Sequence, residues 1–329
     1  MLSKVSIFTD PYQYEAAIRA ADVKAVPTAR GNFRAELTRI NFRRLWMQRF
    51  TESLPVVKYT AMDPRRAPIV FLTEPNQPAI HHEGIDVSQN DIVIYGSGVS
   101  IHHRSSAGCR FGSMSLSPAD LAASARAFTG RDIFAPADTY CIRPDPRHLA
   151  RLRQLHSAAG RLALTTPEVF SHPEAVRALE EALTHTMITC MTDGERLEMG
   201  RKGHNHLLIL SRLEEFLATN FNHALYLSEI CAATNASEHT IRICCNEHLG
   251  MGPVRYLWLR RMHLARRALL ANEGDATVTS IAMAHGFCEL GRFSVAYRGL
   301  FGETPLATLR RPAEDAPASQ NSRPLPAFA

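Results

Sequence analysis

Apolar and polar positions alternate along this chain in two rhythms. Between residues 33 and 116, apolar or β-branched residues come in short runs at 35–40, 45–50, 56–59, 69–72, 92–95 and 111–115. Breakers such as Pro55, Pro64, Pro68, Pro75, Pro78, Gly84, Gly96, Gly98 and Gly108 separate them. That texture predicts short strands divided by turns. Many strands at such spacing predict a small barrel or sandwich, which encloses a pocket able to take a small molecule. The thirty residues ahead read as an irregular lead-in with one helix near 12–21.

After Pro118 the period becomes helical. Leu121, Ala125 and Phe128 form one stripe, and Leu149, Leu152, Leu155 and Ala159 form a second. Val176, Leu179, Leu183 and Met187 form a third, on a helix expected at 172–191. Leu179, Leu183 and Met187 are candidates for a homodimer contact. The charged stretch 193–203 shows no period and reads as a linker. A helix starting near His204 then presents Leu210, Leu213, Phe216 and Leu217. The expected organisation is an α+β sensing and dimerisation domain over 1–192 (barrel about 33–116, helices about 118–192), a linker at 193–203, and an all-α domain over 204–312. A Pro-, Ala- and Ser-rich tail at 313–329 is expected to be disordered.

Within the all-α domain one pattern is written twice. Ile230-Cys231-Ala232, Asn235 and Leu249-Gly250 are answered by Ile281-Ala282-Met283, Gly286 and Phe301-Gly302, at an offset of 51 residues at the first landmark and 52 at the last. Each copy reads as helix, turn, helix, with Asn235 and Gly286 where a left-handed turn is needed. Ser237 is placed to cap the second helix of the first copy. That helix keeps Ile241, Cys244, Cys245 and His248 on one stripe, leaving His239, Thr240, Arg242, Ile243 and Asn246 for its other faces. A short helix with a polar, basic outer face suits a DNA major groove.

Between the copies, Pro253 to Leu270 reads as one helix with Trp258, Met262, Ala265 and Leu269 as its buried stripe. Arg255, Arg260, Arg261, Arg266 and Arg267 share it, and no Asp or Glu occurs from His248 to Asn272. These arginines, with Ser237, are candidates for phosphate contact.

These residues resemble the AraC/XylS family of bacterial transcription regulators. The resemblance is carried by Ser237-Glu238-His239-Thr240-Ile241, by the run from His248 to Leu257, by Ala265-Arg266-Arg267-Ala268-Leu269-Leu270, and by Ile281-Ala282 through Gly286-Phe287 and Arg292-Phe293 to Phe301-Gly302-Glu303-Thr304-Pro305. It implies a seven-helix domain with two helix-turn-helix units that read double-stranded DNA. It further implies that the first recognition helix offers His239, Arg242, Ile243 and Asn246 to bases. The second would offer Leu290, Gly291, Arg292 and Val295, with Arg298 nearer the backbone. Ile243 and Val295 stand where the family often has arginine, which shifts the expected readout towards Arg242, Arg292, thymine methyls and DNA shape. By the same resemblance the N-terminal domain is cupin-like, the effector a small molecule, and the output activation through RNA polymerase.

Composition narrows the rest. At 329 residues, with 45% hydrophobic and 21% charged residues, the chain suits two globular domains. A net charge of +5 is compatible with nucleic-acid binding. No run approaches eighteen apolar residues and the start lacks a secretory pattern, so a cytoplasmic protein with no membrane partner is expected. Seven cysteines without CxxC spacing predict buried reduced thiols and no cofactor.

One other cluster carries chemistry. His81, His82, Glu83, His102 and His103 could gather around a metal if their segments pair as neighbouring strands. Adjacent histidines on a strand face opposite sides, so only one of each pair can look inward, and a metal-free barrel is the expectation. The readings that remain are an effector-responsive DNA-binding regulator, a metal-dependent cupin-type enzyme fused to a DNA-binding domain, and an architectural DNA binder.

Overall fold

The computed structural model describes residues 2–197, 204–220, 226–271 and 276–311. The expected tail 313–329 and the part of the expected linker at 198–203 lie outside them.

Thirteen strands form among the described residues: β1 (Ser3–Phe8), β2 (Ala21–Pro27), β3 (Ala35–Asn41), β4 (Trp46–Glu52), β5 (Val56–Met62), β6 (Ala67–Leu72), β7 (Ile80–His82), β8 (Ile85–Val87), β9 (Ile92–Ile94), β10 (Ser100–Ser105), β11 (Cys109–Leu116), β12 (Tyr140–Arg143) and β13 (Glu195–Leu197). They build an eight-stranded sheet in the order β1-β3-β4-β11-β6-β9-β12-β13 and a five-stranded sheet in the order β2-β5-β10-β7-β8. Leu37, Phe50, Leu72 and Phe111 of the larger sheet meet Ala25, Val56 and Ile80 of the smaller one in a shared core. Period-two alternation sends Ile40, Met47, Ile69 and Met114 to the other side of the larger sheet. There they pack on α2 (Pro118–Thr129), α3 (Pro146–Thr165) and α4 (Pro173–Asp193), through Leu121, Leu149, Leu152 and Leu183.

Three expectations need correction here. The lead-in is not irregular: β1 and β2 flank a helix, α1 (Pro11–Ala17), and are held by β3 and β5. Those partners are supplied by distant segments, so the local texture hid them. The expected linker begins inside structure, since α4 runs to Asp193 and β13 pairs with β12. Leu183 and Met187 are fully buried and Leu179 packs against the same core, so the proposed dimer face is the inside of the domain.

The C-terminal region holds seven helices among the described residues: α5 (His204–Thr219), α6 (Leu227–Thr234), α7 (Glu238–Leu249), α8 (Pro253–Ala271), α9 (Val278–Ala284), α10 (Leu290–Phe301) and α11 (Pro305–Leu309). Leu210, Leu213, Ile230, Ile241, Met262, Ala265, Leu269, Phe293 and Tyr297 make its core, which reaches Val26 and Val57 on the outer face of the smaller sheet. The layers therefore run from helices through two sheets to a second set of helices. The predicted stripes of α5 and α8 are buried, except that Phe216 and Trp258 are only half-buried.

Candidate nucleic-acid interface

Each copy of the repeat folds as helix, turn, helix, and the turns explain why. Asn235 closes α6 at φ 52°, and Gly286 follows α9 at φ 74°. Both are left-handed backbone, where a β-branched residue is strained. Ser237 accepts a hydrogen bond from the Thr240 N–H and caps α7. In the second unit Thr277 caps α9 through Ser280 N–H, and α10 begins at Leu290 after Glu289, whose side chain makes no capping hydrogen bond.

The inner stripe of α7, comprising Ile241, Cys244, Cys245, His248 and Leu249, is buried, while His239, Arg242, Ile243 and Asn246 are exposed and Thr240 is half-buried. On α10, Phe293, Tyr297, Leu300 and Phe301 are buried, whereas Gly291, Arg292, Val295 and Arg298 are exposed. Leu290 is half-buried against the domain core, so less of it is open to a partner than expected. Ile243 and Val295 occupy equivalent places and are 42% and 75% exposed, an unusual position for two aliphatic side chains. Arg242 pairs with Glu238 at 3.0 Å and Arg292 with Glu289 at 3.1 Å. Both pairs lie on the surface, where such bridges are weak and a phosphate or guanine edge can displace them.

Trp258 joins the two units. One depression is lined by Arg242, Gly252, Pro253, Val254, Arg255 and Trp258; the next is lined by Trp258, Phe287, Glu289 and Arg292 among others. The arginines of both recognition helices thus border the same indole, and Arg255 stacks on it at 4.3 Å.

The remaining arginines of α8 are engaged within the protein, which corrects their expected role. Arg260 forms a partly buried ion pair with the buried Glu214 of α5. Arg261 donates to the carbonyls of His285 and Gly286 at 2.9 and 2.5 Å, bracing the second turn. Arg266 pairs with Glu303 at 2.8 Å and stacks on Phe301. Their acidic and carbonyl partners are remote in sequence, so the local lack of Asp and Glu misled. Among the five, Arg255 keeps the exposed position a phosphate contact needs, while the exposed Arg267 reaches back over Tyr12 of α1. Ser237 is exposed.

Glu214 ties the layers together. Tyr256 donates to it at 2.7 Å, Arg260 pairs with it, and His102 Nε2 of β10 lies 3.3 Å from its Oε1. Burial alone would raise this carboxyl, yet Arg260 and then His102 hold it well below the usual carboxylate range.

The histidine segments do pair as neighbours, with His103 opposite His82 and Arg104 opposite His81. His82 and His103 look into a cavity of about 70 Å³ between the sheets, lined also by Lys58, Gln48, Arg19, Tyr95, Phe50, Phe111 and Val93. Burial pushes His82 down to about 3, and burial with Lys58 pushes His103 far below the ordinary imidazole value. His81 bonds Asp86 at 2.9 Å and His102 meets Glu214, both outside the cavity. Glu83 sits in the β7–β8 turn at φ 47°. Among the described residues these five groups do not converge on one point. The cysteines are free, and all are at least half-buried except the exposed Cys288. No helix among the described residues is long and apolar enough to cross a membrane.

Comparison with known proteins adds to this geometry. A family model described as a helix-turn-helix domain matches residues 230–311. The XylDLEGF operon transcriptional activator 3 of Pseudomonas putida is 27% identical over 172 residues, covering 52% of this chain and 51% of that protein. The HTH-type transcriptional activator RhaS of Pectobacterium carotovorum is 27% identical over 159 residues, covering 47% of this chain and 53% of that one. The chain spans about half the length of the curated relatives it matches. A solved structure of a probable AraC family transcriptional regulator from Rhodopseudomonas palustris is 28% identical, covering 31% of this chain and 94% of that chain, at a TM-score of 0.29.

Proposed function

We propose that this chain, whose C-terminal part is a helix-turn-helix domain of the AraC/XylS type, acts as a sequence-specific, effector-responsive transcription regulator, in the mode of an activator. One observation carries the reading: α7 and α10 leave equivalent faces open on either side of the same tryptophan. Two short helices so placed can enter successive major-groove segments roughly 34 Å apart. Arg242 and Arg292 then suit hydrogen bonding to guanine edges, and Ile243 and Val295 suit apolar contact with thymine methyls. His239, Asn246, Gly291 and Thr240 flank them, with Arg255, Arg298 and Ser237 at the phosphates.

The effector site in this reading is the cavity between the sheets. A route to the DNA-binding helices is supported by β10, which carries His103 into the cavity and the adjacent His102 onto Glu214. A small molecule that shifts β10 would bear on α5 and, through Tyr256 and Arg260, on α8. Contact with RNA polymerase, action in the cytoplasm and pairing with a second copy belong to the same proposal.

The test is genome-wide mapping of bound DNA, followed by competition between a recovered site and its scrambled duplex at physiological salt. A preference of at least about a thousandfold is expected of specific binding. Equal binding to both duplexes would leave an architectural role instead.

A further inference from the structure

We propose that His206, Glu247 and His248 form a binding site for a first-row divalent transition metal ion such as zinc, at the face where the DNA-binding helices meet the smaller sheet. His206 comes from the first turn of α5, and Glu247 and His248 from the last turn of α7. One donor atom from each lies within 4.8 Å of the others, and no other such group occurs among the described residues. Donors sharing one zinc ion at roughly 2.0–2.2 Å stand about 3.5 Å apart, so small side-chain rotations suffice to close the set.

A plain surface ion pair beside a packing histidine is the alternative, and His248 argues against it. Its side chain is 1% exposed, yet neither Nδ1 nor Nε2 has a hydrogen-bond partner among the described residues. A buried imidazole so placed bears the cost of desolvation without return. Glu247 Oε2 already lies 3.0 Å from His206 Nδ1, and the two imidazole rings are 6.0 Å apart. Two imidazoles and a carboxylate, with no thiolate, favour zinc, nickel or cobalt over calcium or magnesium. On the sheet side, a Cβ at Gly84 would stand 3.8 Å from His248 and 4.0 Å from Glu247, so the β7–β8 turn closes over the site. An ion here would fasten the end of the first recognition helix to α5. The group does not include the histidines of β7 and β10, and the inference does not rest on the regulatory reading.

The full-length chain, stripped with a chelator and dialysed, is titrated with zinc chloride by calorimetry, and cobalt(II) substitution is followed by its visible absorption. One equivalent of zinc per chain and cobalt bands of a nitrogen- and oxygen-ligated ion are expected. Both positions are partly or fully exposed, so His206→Gln and Glu247→Gln should fold, as circular dichroism would verify, and each should weaken zinc binding at least about tenfold. Failure to take up one equivalent, or uptake unchanged in both variants, overturns the proposal.

Discussion

The two helix-turn-helix units share one sequence pattern but not one neighbourhood. The first is backed by the N-terminal domain: α7 ends at Gly250 against the Arg104 side chain of β10, and α5 beside it receives His102. The second touches that domain at the tail of α10, where Gly31 N–H donates to the Leu300 carbonyl at 3.1 Å. It is otherwise braced from within, by Arg261 on its turn and by Glu303 between Arg266 and Arg311. The repeat therefore gives two similar helix-turn-helix units, and tertiary packing sets the first more closely against the smaller sheet.

The strongest way to break this contrast is Glu214→Ala. It leaves the partly buried Arg260 without its carboxylate, and a cost of about 3 kcal/mol, the low end for a broken buried pair, is expected. Thermal denaturation should show the loss, with hydrogen exchange quickening in α5 and α7 before α10. Equal acceleration in both recognition helices would mean that the units depend on the barrel alike.

Gly286→Val probes the second unit alone. At φ 74° a β-branched side chain should cost about 1–3 kcal/mol, read as a lower urea midpoint with α7 protection unchanged. A wild-type midpoint would show that the turn tolerates the residue and that the assignment of strain is wrong.

Arg242→Ala and Arg292→Ala compare the readers on DNA. Each should lower discrimination between cognate and scrambled duplex by about 1–3 kcal/mol while leaving the melting temperature in place, because both side chains are exposed. Affinity lost equally on both duplexes would reassign that arginine to the backbone.

The mildest change is expected from Arg255→Ala and Arg298→Ala. Either should weaken binding to every sequence and flatten the plot of log affinity against log salt by about one unit. An unaltered slope in one of them would show which unit lacks that phosphate contact.

Much of the site was legible because its signals are local. A left-handed turn is announced by Asn235 or Gly286, a cap by Ser237, and the open face of α7 by which positions the buried stripe leaves over, whereas that of α10 came from the family resemblance. The fates of Arg260, Arg261 and Arg266 were not legible. Each side chain spans to an acid or a carbonyl contributed by another segment, and a stretch without nearby Asp or Glu looks the same whether its arginines face phosphate or protein. The half-exposed Trp258 was misplaced for a related reason. Helical period names the stripe but not where the neighbouring helix stops covering it.

From residues alone came the doubled reader, the strand-rich first half and the three-helix layer after Pro118, since periodicity, turn chemistry and caps act over a few positions. Only the folded chain decided that α4's apolar face closes a core instead of a dimer, and that β1 and β2 complete the sheets. It also decided which way each of two adjacent histidines looks, His102 towards Glu214 and His103 towards the cavity. Those outcomes depend on which distant segments meet, and burial and pairing energies across such contacts are set by the assembled layers, not by any local run of residues.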